Sequence, residues 1–333
     1  MLATTAPAPA QAAPDNLPLK GAADVVATND RVFVSGGRRS TAIVVTDAAG
    51  KLVTTIDGLA GPTDLLLSAD GETVFAALHS GGVVLAIDAR SLETKARYDV
   101  LACASSLAQS GHWLWVGYGC GGSYGNIASI DLRSGAVRAN LLPARTVYEA
   151  PALSAPAKNL NILLVGEKAI SPASLYVYAV SADGSLTEVR ENPHGAVGSN
   201  LRDVAATADG SAAIVAAGWP YRLQEFRTDD MGAPKRVFET GAYPNAVELS
   251  PDERWVAGGS FNWYDPEIFL FERDGTFDSS FRIGGGRATL PEGALAWSPD
   301  SRRFYAVAWD ERANPPVAPS LHVFTVTADT ATS

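Results

Sequence analysis

Three carboxylates, Asp24, Asp64 and Asp203, recur just ahead of apolar, β-rich runs. Oxygen ligands of this kind can hold a hard divalent cation and polarise water on it. The competing chemistry is structural, because an Asp ahead of a strand readily accepts hydrogen bonds from backbone amides. No motif spacing joins the three, so amide capture by the neighbouring repeat is the expectation, with a divalent cation on Asp24, Asp64 and Asp203 as the alternative. No cofactor is otherwise expected. Of the four histidines, His79 is the one placed as a general base, on the same side as Asp64. His112 falls in a turn on the opposite side, His194 in a linker and His322 in a strand. Nucleophile-elbow, phosphate-loop and Cys/His metal patterns are missing from the sequence.

The elements that must position these groups repeat along the chain. The unit from Pro62 to Asp88 reads as strands broken by Ser68-Ala69-Asp70-Gly71 and Gly81-Gly82, since short apolar runs between Asp-Gly and Gly-Gly pairs are hairpins. Equivalent units place Asp24, Asp64, Ser106, Ala150, Asp203, Ala246 and Ala294 at one position, 40 to 53 residues apart. That period, with four strands per unit, predicts an all-β chain folded as a seven-bladed β-propeller of four-stranded antiparallel blades. The seventh unit has no fourth strand after Leu321–Val326, and residues 16–20 precede the first unit without a partner. The N-terminal strand is therefore expected to complete the last blade, leaving only short sheet edges.

The turns Ser68-Ala69-Asp70-Gly71, Ser250-Pro251-Asp252-Glu253 and Ser298-Pro299-Asp300-Ser301 resemble those of YVTN-repeat, lactonase-like seven-bladed propellers, within the wider WD40-like superfamily. The resemblance runs from about residue 16 to the C-terminus. It implies the propeller fold and a family holding binding proteins, lyases and lactonases. Its lyases use a His beside a metal-held substrate, a cluster with no match here. The joint Gly-His…Trp-Asp marks of WD40 blades are absent, Trp309-Asp310 lying in the wrong strand for that role.

In a propeller, the starts of the inner strands share a face with the loops between second and third strands. Those loops carry Tyr118, Tyr124, Trp219, Tyr221, Phe261, Trp263, Tyr264 and Trp309. Aromatics on loops over a rigid scaffold bury large area at low entropic cost, so this set is read as a ligand-binding face. Trp113, Trp115, Trp255 and Trp297 fall within strands and are read as packing. Cys103 and Cys120 flank one hairpin and are expected to form a disulfide.

The net charge of −10 and pI near 4.9 argue against a nucleic-acid partner. No apolar run reaches the roughly 18 residues of a membrane span. Ala10-Gln11-Ala12 has the small-x-small form cut by signal peptidase. Residues 1–14 are read as a tail or signal-peptide remnant, 15–328 as the propeller and 329–333 as a C-terminal tail, the last residues from Thr327 to Ser333 resembling a linker. The expected protein is a secreted, monomeric, non-catalytic module binding a protein, glycan or other ligand through its aromatic face. The alternative is a metal-assisted lyase or lactonase-like hydrolase using His79, Asp64 and Asp203 at the channel mouth.

Overall fold

The computed structural model describes residues 10–11, 15–120, 125–142, 147–261, 266–283, 289–310 and 317–326. These form seven antiparallel sheets, and among the described residues there is no helix, hence none long and apolar enough to cross a membrane. Blades 1 to 6 each hold four strands in sequence order. Blade 2, for example, runs Pro62–Leu67, Thr73–Leu78, Val83–Asp88 and Thr94–Asp99. The inner strands start at Asp24, Pro62, Ala104, Ala152, Ser199, Pro244 and Leu295. Each packs beside the next, and Leu295–Trp297 meets Asp24–Ala27, so the ring of sheets closes around a channel.

Against the last strand of blade 7, Ser320–Thr325, lie two short N-terminal pieces. Ala10 and Gln11 pair with Thr325 and Phe324, and Asp15 and Asn16 pair with Leu321 and Ser320. The pairing thus involves residues 10–11 and 15–16 rather than a continuous strand over 16–20. Leu17 and Leu19 instead turn into the core beside blade 7.

One side-chain device makes the inner turns. Ser68 Oγ donates to Asp70 at 2.5 Å and accepts from Thr73 N at 2.9 Å, while Asp70 also accepts from Glu72 N. Thr207 with Asp209, Ser250 with Asp252 and Ser298 with Asp300 repeat it in blades 5, 6 and 7. The residue after each Asp has positive φ (Gly71, Gly210, Glu253 and Ser301). Reversing the chain in so few residues requires that left-handed step, and the Asp and Ser oxygens satisfy the amides it strands.

The core is a set of seams between neighbouring blades, each lined by alternate residues of two sheets. Trp115, Trp255 and Trp297 are buried there, and Trp115 donates its indole N–H to Ser110 Oγ at 2.8 Å. Between blades 5 and 6, the fully buried Glu225 pairs with Arg236 at 2.8 Å and Arg273 at 2.5 Å. Burial pushes this carboxyl up, but the two guanidiniums outweigh it and hold it below the usual glutamate range.

Candidate binding face at the channel mouth

The three aspartates are latches between blades. Asp24 of blade 1 accepts from Leu65 N of blade 2 at 2.5 Å, and Asp64 accepts from Leu107 N of blade 3 at 2.5 Å. Asp203 of blade 5 accepts from Val247 N of blade 6 at 2.9 Å and from Val204 N at 2.8 Å. In blade 3, the equivalent Ser106 donates across the next seam to Pro151 O at 2.5 Å. Gly293 lies against Asp24, where a Cβ would stand 2.6 Å from Oδ1, so glycine is required beside this latch. Among the described residues, no three His, Cys, Asp or Glu side chains gather to hold a metal ion.

Burial drives these carboxyls towards their neutral forms. Asp64 is raised to about 7 and Asp203 to about 6 by loss of solvent, against the pull of the amides they accept from. Asp24 is pushed well above the usual range by burial and then by the charge of Asp64, the two carboxyls being hydrogen-bonded to each other. His79 is half-buried and drawn down by burial and then by Arg38, and its Nδ1 meets Ser105 Oγ at 3.2 Å. The imidazole is therefore neutral near pH 7, with a hydroxyl rather than a carboxylate at its ring nitrogen.

The channel mouth also holds an ion cluster that the sequence gives no sign of. Glu292, leading into blade 7, accepts from Lys168 Nζ of blade 4 at 2.8 Å and from Arg202 Nη1 of blade 5 at 2.8 Å. Burial alone would raise the Glu292 pKa, but Lys168 and Arg202 together bring it below the ordinary value. Lys168 is held up by Glu292, with Asp64 and Asp203 adding to it, against the downward pull of burial. Blades 4 and 5 are thereby tied to blade 7 across the channel.

The predicted aromatic set divides. Trp219, at the end of the second strand of blade 5, is 56% exposed, and Tyr221 two residues on is 36% exposed. Their rings meet edge-on at 5.1 Å, and Tyr221 meets the 47% exposed Tyr243 in the same way at 5.1 Å. The neighbouring Tyr243 raises the Tyr221 pKa. Gly198, at φ +90°, lies so close under Trp219 O that no side chain fits there. Phe261 is half-buried and donates its N–H to Tyr243 O at 2.8 Å, fixing the loop ahead of blade 6.

Tyr118 is a correction to the sequence reading. Its ring is buried in the seam between blades 2 and 3, and its hydroxyl donates to Asn140 Oδ1 at 2.7 Å. Trp309 is half-buried against the core of blade 7 and covered by Gly21, so its ring is largely packing as well. Tyr124, Trp263 and Tyr264 lie outside the described residues. Tyr243 was missed because it precedes an inner strand instead of following a second one; the Tyr243-Pro244 pair ahead of a strand was its only signal.

Cys103 and Cys120 form a disulfide with Cα atoms 5.1 Å apart, on this same face. Gly119 N donates to Cys103 O at 3.2 Å, and Cys103 N to His79 O at 2.8 Å, so the bridge ties the rims of blades 2 and 3.

No protein-family model matches the chain, and no curated protein sequence matches it. Among solved structures, a chain of "Crystal Structure of Mitotic Checkpoint Complex" has a similar fold, with TM-score 0.72 and 14% sequence identity. The match covers 98% of this chain and 94% of that one. At such identity the likeness is one of fold alone.

Proposed function

We propose that this chain is a secreted, non-catalytic binding propeller of the YVTN-like kind, which recognises a protein or glycan ligand through the loops of blades 5 and 6. The observation that carries this reading is the ladder of Trp219, Tyr221 and Tyr243, three large rings exposed side by side on one rim. Exposed aromatics in contact with one another are pre-ordered, so a partner covers them without first freezing them. Tyr221 and Tyr243 both have positive φ, at 66° and 57°. Aromatic residues in that region cost of order 1 kcal/mol each, and such strain is characteristically kept where a surface has work to do. The Cys103–Cys120 bridge supports an oxidising compartment.

The test is a panel of secreted proteins and glycans probed with the wild-type chain and with a Trp219→Ala/Tyr221→Ala/Tyr243→Ala variant. Ligands held by the wild type are lost from the variant while its melting curve is unchanged. Equal binding by both chains refutes the assignment.

A second reading rests on the Asp24 and Asp64 carboxyls, which lie against each other and are both raised by burial, as in an acid–base pair. Each already accepts a backbone amide of the next blade, which favours the latch. Turnover of a lactone by the wild type that Asp64→Asn abolishes would establish the catalytic reading instead.

A further inference from the structure

The far end of the channel, where the inner strands reach their turns, opens into a cavity of about 320 Å³ between blades 1, 2, 6 and 7. Leu66, Leu67, Leu249 and Trp297 line it with other apolar side chains, and Glu248 is the one ionisable group among the described residues of its wall. The size is that of a small-molecule site, and so is the composition, apolar walls with a single polar anchor.

Glu248 departs from its own repeat. In the register of the inner strands, the other blades carry Val26, Leu66, Ala108, Ser154, Ala205 and Ala296 at the position of Glu248. Any of these would close the channel wall without an unpaired charge. The carboxyl of Glu248 has no side-chain partner among the described residues, the nearby Leu249 amide being its one hydrogen-bonding neighbour. Asp24, Asp64 and Asp203, by contrast, are latched to amides of the next blade, and Glu292 is clamped by two cations. Glu248 is half-buried, and a carboxyl held partly among apolar groups gains from a partner of opposite charge.

We infer that this cavity binds a small organic ammonium ion, its apolar body against Leu66, Leu67 and Leu249 and its charged head on Glu248. A carboxylate in an apolar wall selects for a ligand carrying one positive charge on a hydrocarbon body, because that ligand satisfies both surfaces. The indole of Trp297 in the same wall adds a ring that attracts cations. The apolar lining offers no further oxygen ligands for a bare metal ion. This site is at the opposite end of the channel from the aromatic ladder and stands independently of it.

Proton balance gives such binding a distinct signature. Burial first, then the charges of Asp203 and Asp64, push Glu248 up to about 8. Glu248 is therefore mostly protonated at pH 7, and meeting an ammonium ion requires it to release that proton to the buffer. Among the described residues no cation lines its wall; Asp64 and Asp203, both acidic, are the titratable neighbours that act on it.

The probe is hexylamine, titrated calorimetrically at pH 7 in two buffers of different ionisation enthalpy, with hexan-1-ol as the uncharged control. Expected are saturable one-to-one binding, proton release on binding, and affinity at least about tenfold above that of the alcohol, the scale of one charge-assisted contact. Glu248→Gln removes the proton release and weakens hexylamine by about tenfold or more, while Glu248→Asp retains part of both. The melt of Glu248→Gln reports its folding, and it is expected at or above the wild-type midpoint at pH 8. Binding that is absent in the wild type, unaffected by Glu248→Gln, or as strong for hexan-1-ol as for hexylamine overturns the inference.

Discussion

Glu292→Gln is the sharpest perturbation of the channel mouth, because one atom change removes the anion that bridges Lys168 and Arg202. Both contacts are 2.8 Å, with side-chain exposures of 32% for Glu292, 16% for Lys168 and 34% for Arg202. A solvent-exposed pair would be worth about 0.2–1 kcal/mol, and breaking a fully buried one costs about 3–5 kcal/mol. With a third of the carboxylate still wetted, the loss falls between these limits, at about 2 kcal/mol. An unfolding entropy of about 2.1 cal/mol/K per residue converts this to a midpoint lower by about 3 °C for a chain of this length. The assay is thermal melting at pH 7, repeated with Lys168→Met and with both substitutions together. Removing Lys168 as well leaves less uncompensated charge, so the double variant melts higher than the two single losses predict. Because the Glu292 pKa is lowered on folding, its contribution is present above the ordinary glutamate pKa and lost as the pH falls through the lowered one. The deficit of Glu292→Gln therefore shrinks in acid. A variant that melts with the wild type at pH 7, or a deficit independent of pH, refutes the clamp.

Two other predictions concern the frame around that cluster. Stability falls between about pH 5 and pH 8, because Asp24, Asp64, Asp203 and Glu248 hold protons in the folded chain that the unfolded chain has already lost. Asp64 alone, raised to about 7, accounts for about 2 kcal/mol of this between about pH 5 and 7. Denaturant midpoints that rise across this range would contradict the assignment of burial as the dominant cause. The disulfide closes a loop with a sequence separation of 17. Cys103→Ser/Cys120→Ser is expected to cost about 3 kcal/mol, a midpoint lower by about 4 °C, and a change under about 1 °C would show that the hairpin holds this rim without it.

The repeat was legible because its signals are local. Each turn of the Ser68-to-Thr73 type carries its own Ser, Asp and left-handed residue within five positions, and each strand announces itself by its apolar run. The cysteine pairing was legible for the same reason, since a hairpin fixes which residues face each other. The amide-capture reading of Asp24, Asp64 and Asp203 likewise needs only the repeat position, because every latch reaches the same place on the next blade.

What the sequence hid depends on the ring rather than the repeat. Lys168 and Glu292 stand 124 residues apart, and Arg202 and Glu292 stand 90 apart, so only the closed ring of blades brings them together. Tyr118 shows the limit in the other direction. It ends a second strand as Trp219 does, but its ring turns into the seam, where Asn140 satisfies its hydroxyl. Sequence position assigns a residue to a loop and a face; whether its ring points outward is settled by the packing of the neighbouring blade.

The most direct test of the aromatic face is hydroxyl-radical footprinting of the wild-type chain, free and with the tightest ligand from the panel of secreted proteins and glycans. Trp219, Tyr221 and Tyr243 are the rings to follow, with Trp113 on the opposite side of blade 3 as the internal control. The account predicts that the three rings of the ladder are oxidised in the free chain and protected in the complex while Trp113 does not change. Protection of Trp113 with the ladder still oxidised would place the ligand on the other face and contradict the account.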